Sequence, residues 1–182
     1  MLTILLACAM QSAPADTAPV VLAGSPAPAP ATARVETRAK AILADSMVLE
    51  KSARQLTLYY HGQTVKQYAV ALGKNPVGDK LHRGDGRTPE GLFYIEGRNP
   101  QSKYHLSLRI SYPDAAHRRS ALKRGESAGG EIMIHGLPDA FASVGALHRQ
   151  QDWTLGCVAV TNEEIEEIWR AVPDGARILI KP

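Results

Sequence analysis

The sequence predicts a β-rich α+β domain with two or three helices. Short apolar runs recur between residues 47 and 181, several alternating with period two. Clusters of Gly, Pro, Asn and Asp separate them. Only a few segments carry helix-start chemistry, at Asp114 and at Thr161-Asn162-Glu163-Glu164.

Met47-Val48-Leu49-Glu50 is a short apolar strand. Gln55 to Tyr60 alternates, and Val65 to Leu72 returns as its partner through a turn at His61-Gly62. Residues 73–91 are Gly/Pro-rich and polar, the composition of a long loop. Gly91 to Ile95 and His105 to Ile110 are further strands. Asp114 can cap a helix over about residues 115–124, and Gly125 stops it. Ile132 to Ile134 is a short buried strand with His135 at its exit. Residues 139–148 form a weak helix or a covering loop, and Val158-Ala159-Val160 is another buried strand. The capping box at Thr161 opens a helix through about Ala171, and Ala176 to Lys181 closes the chain as a strand. No internal repeat is present.

Before the domain, Met1 to Met10 is a short apolar run, and the first basic residue is Arg34. An export signal is expected over residues 1–15, although its usual basic start is missing. Leu5-Leu6-Ala7-Cys8 resembles a lipobox, in which Cys8 would receive lipid. Residues 16–44 read as an Ala/Pro-rich linker and short helix, and residues 45–182 as the domain proper. No run reaches the length of a transmembrane helix. The chain is 45% hydrophobic and 21% charged, which argues for a globular core. Its net charge of +3 is spread without a dense Lys/Arg block. That favours a solvated mixed surface over a nucleic-acid patch.

The chain has two cysteines, and one of them, Cys8, lies in the leader, so the domain holds no disulfide framework. Cys157, in Asp152-Trp153-Thr154-Leu155-Gly156-Cys157-Val158, is therefore either inert in the core or reactive. His135 ends the apolar run Ile132-Met133-Ile134. A thiol and an imidazole suffice for acyl chemistry if they meet, since the imidazole generates the thiolate and then carries its proton. Gly156 permits a sharp turn before the thiol, and backbone N–H groups there can face an oxyanion. Gly136 suggests a tight turn, where its carbonyl or a neighbouring one can hold the imidazole of His135 in one tautomer. Plain turn chemistry explains each glycine equally well when taken singly.

Ile134-His135-Gly136 followed by Thr154-Leu155-Gly156-Cys157 resembles the signature of the L,D-transpeptidase catalytic (YkuD-type) domain. Arg87-Thr88-Pro89-Glu90-Gly91-Leu92-Phe93 resembles that family's Thr-Pro-x-Gly-x-Phe segment. Gly73-Lys74-Asn75-Pro76-Val77-Gly78 resembles its preceding loop, and Leu56-Thr57-Leu58-Tyr59 its second strand. The likeness covers about residues 45–181. Leu155 stands where many members have histidine and Ala159 where many have arginine; Asp152-Trp153-Thr154-x-Gly-Cys instead resembles the YafK-like subgroup.

The resemblance implies a mixed β-sandwich-like fold and an exported enzyme of the periplasm or cell envelope, acting on peptidoglycan stem peptides. Cys157 would be the nucleophile and His135 the proton acceptor and donor. Gly136 would orient His135, and Gly156 with the Cys157 N–H would form the oxyanion hole, shaped by Thr154. The donor would be attacked at its diamino-acid L-centre, releasing a terminal D-amino acid. An amine acceptor would then give a cross-link, and water a hydrolase: a carboxypeptidase, or an amidase releasing a wall-bound lipoprotein. Neither metal nor organic cofactor is required. His148, Arg149 and Arg87 are candidates to meet a substrate carboxylate, against a reading as solvated loop residues. Trp153 reads as a packing residue. A catalytically dead wall-binding module and a metal site through His135, His148 and Cys157 are the competing classes. The remaining histidines lack metal-ligand spacing.

Overall fold

The structure, a computed structural model, describes residues 42–182. The expected leader, Cys8 and most of the linker lie outside those residues. The strands are β1 (Ser46–Glu50), β2 (Gln55–Tyr60), β3 (Gln63–Ala69), β4 (Gly91–Ser102), β5 (His105–Ile110), β6 (Met133–His135), β7 (Val158–Ala159) and β8 (Arg177–Lys181). The α-helices are α1 (Ala115–Lys123) and α2 (Asn162–Ala171), with a 3-10 segment over Asp139–Gln150.

β1, β2 and β3 form an antiparallel meander. The β2–β3 turn places His61 and Gly62 at φ 49° and 75°, the left-handed backbone that a two-residue hairpin needs. The chain's last strand, β8, inserts parallel to β1 and antiparallel to the first half of β4. The full strand order is β3-β2-β1-β8-β4-β5-β6-β7.

β4 decides the shape. Gly91 to Tyr94 pair with β8, while Ile95 to Ser102 pair with β5 across two register shifts. One strand thus serves two leaves, and the sheet folds about it. Isolated bridges Ala71↔Ala159 and Gly73↔Thr154 join the segment after β3 to the far end of the sheet. The result is a curled, half-barrel sheet with apolar side chains inside, in agreement with the β-rich α+β, sandwich-like expectation. Leu49, Leu58, Phe93, Leu108, Ile134 and Ile178 are fully buried there.

α2 closes the core. Thr161 Oγ1 accepts the Glu164 N–H, and Glu164 accepts the Thr161 N–H, so the capping box forms. Ile165 and Ile168, one turn apart, have no exposed surface. α1 is capped by Asp114, whose carboxylate accepts the His117 N–H at 2.8 Å.

The element boundaries differ from expectation in several places; β3 spans Gln63–Ala69 where Val65 to Leu72 is expected, and β7 ends at Ala159. β4 runs on to Ser102 through Gly97 and Pro100. Beyond Tyr94 it has a ladder partner on one side only, and there a proline removes no bond. β6 starts at Met133 and includes His135 as its last residue. Residues 139–150 are 3-10 and broken at Gly145, which has φ 50°.

Candidate active site

β6 and β7 are parallel neighbours, with Ile134 beside Val158 and His135 beside Ala159. Side chains alternate along a strand. Ile134 and Val158 point into the core, with 0% and 1% exposed. Met133, His135 and Cys157 therefore share the opposite face, and Cys157 enters β7 two residues before the partner of His135. His135, Thr154 and Cys157 all line one cleft of about 790 Å³, with Lys80, Arg83, Tyr104, Glu131 and Trp153 among its other walls.

His135 is 4% exposed. Its Nδ1 lies 2.7 Å from the Gly136 carbonyl, which fixes the proton on Nδ1 and leaves Nε2 as the basic nitrogen. Burial pushes the imidazole below its ordinary range, opposed by that same bond. Tyr104 lies 4.4 Å from the ring and Trp153 sits edge-on at 5.8 Å, and the two aromatics are 6.3 Å apart, so the three rings form one cluster that packs the imidazole on adjacent sides. Gly136 also packs close: a Cβ there would stand 2.5 Å from Asn162 Oδ1 and 2.9 Å from Ile165.

The Cys157 thiol donates to the Glu131 carbonyl at 3.6 Å. Burial holds it above the ordinary thiol range, and the Met133 backbone N–H and the charge of Lys80 act the other way. Glu131 itself sits at φ 56°, uncommon for a residue with a side chain. Lys80 is 4% exposed and pairs with Asp85 at 2.7 Å. Burial alone would raise Asp85, but Lys80 and the Arg87, Leu81 and His82 N–H groups bring it down to about 2.

The turn before Cys157 is tied by one hydroxyl. Thr154 Oγ1 accepts the Gly156 N–H at 3.0 Å and donates to the Cys157 carbonyl at 2.8 Å. The Gly156 N–H is thereby taken up inside the turn, while the Cys157 N–H has no acceptor among the described residues. Gly156 has φ 133°, and a Cβ would lie 2.5 Å from the Arg87 carbonyl, so no other residue fits.

The loop over residues 73–90 is held behind this turn. Thr88 Oγ1 accepts the Gly73 N–H at 3.1 Å, and Asp152 accepts the Leu72 N–H at 2.9 Å while pairing with Arg54 at 2.8 Å. Lys51, 2% exposed, donates to the carbonyls of Gly78 and Thr88 and to Glu90.

The three weaker candidates stand outside the cleft lining. Arg149 is engaged by Glu164, the capping-box carboxylate of α2. His148 accepts the Trp153 indole N–H at 3.4 Å, and burial pushes it down to about 4. Arg87 donates to the Asp79 carbonyl at 3.2 Å. Tyr104, Lys80, Asp85, Glu131 and Lys51 were not singled out from sequence. Their roles depend on chain crossings that no local pattern announces. Among the described residues no group of three His, Cys, Asp or Glu is placed to hold a metal, and no helix is long and apolar enough to cross a membrane.

Residues 41–180 match the model of the YkuD family, the L,D-transpeptidase catalytic domain. YafK of Escherichia coli (strain K12) is 30% identical over 138 residues, 72% of this chain and 48% of that protein. The chain thus spans about half the length of the curated relatives it matches. The helical cell shape determining protein Pgp2 of Campylobacter jejuni has a similar fold, with TM-score 0.57, 24% identity, and 74% of this chain and 46% of that one covered. Bd1075 of Bdellovibrio bacteriovorus has TM-score 0.53 and 25% identity, covering 79% of this chain and 50% of that one. The extent of the family match, together with this fold, shows that the chain belongs to the L,D-transpeptidase catalytic-domain (YkuD) family.

Proposed function

We propose that this chain is a peptidoglycan-acting cysteine L,D-transpeptidase whose nucleophile is Cys157 and whose general base and acid is His135. One observation carries the reading: both side chains lie on one face of the β6–β7 pair and line one cleft, with the Nδ1 of His135 locked and its Nε2 left basic.

Nε2 takes the thiol proton as the sulfur attacks the stem-peptide carbonyl at its diamino-acid L-centre. The oxyanion forms beside the Cys157 N–H, held in place by Thr154 and Gly156. On collapse, His135 returns the proton to the departing nitrogen of the terminal D-amino acid, leaving a thioester on Cys157. The acceptor amine then loses its proton to Nε2 and attacks the thioester. The buried charge of Lys80 favours the transient thiolate. No step calls for a metal or organic cofactor.

Residues 45–182 are the catalytic domain in this proposal. An export signal over residues 1–15 and a linker over 16–44 place it in the periplasm or cell envelope, with Cys8 as a lipid site in one version. Leu155 and Ala159, in place of the histidine and arginine of many members, favour a second outcome of the same thioester. Water would resolve it, giving an L,D-carboxypeptidase or a lipoprotein-releasing amidase. Tetrapeptide muropeptides incubated with the protein decide between them. Cross-linked dimers are expected, with an intact-mass adduct on Cys157 that C157A lacks. Tripeptides without dimers would transfer the assignment to the hydrolase, and full turnover by C157A would overturn both.

A further inference from the structure

A second hollow, of about 260 Å³, adjoins the cleft and is lined by Gly97, Arg98, Asn99, Ser107, Arg109 and Met133. Met133 lines both spaces. Strand register explains the continuity, because residues paired across strands point to the same face. Ser107 pairs with His135 on one side and Asn99 on the other. Arg109 pairs with Met133 and Gly97. Two rows of side chains therefore run across β5 to β4, one starting at His135 and the other at Met133. The intervening Leu108 and Ile134 face the core.

The hollow carries an unsatisfied polar group on its wall. Ser107 is 1% exposed and its hydroxyl has no hydrogen-bond partner among the described residues, a costly state for a buried donor. Among the described residues Arg109 makes one ion pair, from Nε to Glu96 at 3.2 Å, and both partners are about half exposed. Such a pair holds the guanidinium weakly. Arg98 is used elsewhere: it binds Asp174 at 2.6 Å and the carbonyls of Trp169 and Val172, and stacks on Trp169. Arg109 is thus the cation available to the hollow. Gly97 leaves the floor bare beneath it, since a Cβ there would stand 3.7 Å from Arg109 Nε.

We propose that this hollow is a carboxylate-binding subsite for the amine partner of acyl transfer, formed by Arg109 and Ser107 with Asn99 at its rim. The proposal rests on the acyl-transfer reading of Cys157 and His135. In that reading the amine leaves or enters at Nε2 of His135. An amino-acid amine carries its carboxylate one carbon away. Ser107 is the cross-strand neighbour of His135, with roughly 5 Å between such Cα atoms. The carboxylate of either a departing D-amino acid or an incoming amino-acid centre lands on the hollow. A guanidinium matches a carboxylate in shape and charge, so the subsite would prefer acids over amides.

Residue-resolved amide NMR of the full chain tests this with three probes: D-alanine for the leaving group, meso-diaminopimelate for the acceptor, and D-alaninamide as the uncharged control. Either acid is expected to shift the amides of Asn99, Ser107 and Arg109, with about tenfold weaker binding in R109A and partial recovery in R109K. Which acid binds names the source. Failure of both acids to shift these amides, equal binding of D-alaninamide, or unchanged affinity in R109A would overturn the subsite. Thioester formation on Cys157 of the wild-type protein is read separately by mass. Its absence, with carboxylate-dependent shifts intact, would sink the acyl-transfer reading and leave the binding site standing. A thioester without those shifts would sink the subsite alone.

Discussion

Replacing Thr154 by valine tests whether one hydroxyl holds the turn that presents the thiol. Thr154 is 4% exposed and bridges the Gly156 N–H (3.0 Å) and the Cys157 carbonyl (2.8 Å). Valine keeps the shape and removes both bonds, which leaves two backbone groups without partners. A buried group so orphaned costs roughly 1–3 kcal/mol, so about 3 kcal/mol is expected for the pair. For a domain of about 140 residues that is a fall in Tm of about 10 °C. T154S keeps the hydroxyl and loses only a methyl, at about 1 kcal/mol. Urea unfolding of the three proteins reads the difference directly as a change in midpoint at constant slope. A T154V protein within about 0.5 kcal/mol of the parent, well below the cost of one orphaned group, would refute the clamp. So would T154S unfolding as easily as T154V.

Other perturbations probe the same architecture. G156A forces a side chain into φ 133° and against the Arg87 carbonyl, and should cost about 3 kcal/mol or more. G84A, at φ 85° with open space around it, should cost about 1 kcal/mol in the same unfolding assay. The thiol is held up and the imidazole down, so the resting pair is neutral at pH 7. Iodoacetamide alkylation of Cys157 should therefore keep rising above about pH 8.5, the ordinary thiol value. A rate plateau already reached by about pH 6 would mean a standing thiolate–imidazolium pair and would contradict that state. Asp85 is depressed from 3.8 to about 2, so its stabilising effect is present above pH 3.8 and lost as pH falls through about 2. D85N should accordingly be less stable than the parent at pH 7 by about 2 kcal/mol or more, with the gap closing between about pH 4 and pH 2. A gap constant over that range would show that the carboxylate charge is not what Asp85 contributes.

Much of the frame was legible because it rests on local rules. A short apolar run marked β1, period-two alternation marked β2, and a strand-like run marked β5. The side chains of Asp114 and Thr161 marked helix starts, and both caps form as read. The second half of β4 was missed because Gly97 and Pro100 look like loop residues. They are tolerated there only because β8 no longer lies alongside, a fact of sheet order rather than of sequence. Arg149 and His148 read as solvated or substrate-facing residues. The fold instead packs that segment against α2 and Trp153, where Glu164 and the indole take them up.

The sequence by itself determined the strand and helix content, the lone thiol of the domain, the histidine at a strand end and the glycine before the thiol. Each of these is a property of a few adjacent residues. Only the tertiary structure decided which face they share. The parallel register of β6 and β7 puts His135 and Cys157 on one side of the sheet. The far-separated Lys80 and Tyr104 reach the same cleft because the loop over residues 73–90 and the β4–β5 turn fold over it. The physical reason is separation along the chain. Alternation and capping act over two to four residues and leave their mark in the sequence. Cross-strand neighbours and buried ion pairs join residues tens of positions apart, and their meeting is fixed only when the sheet curls and the core excludes water.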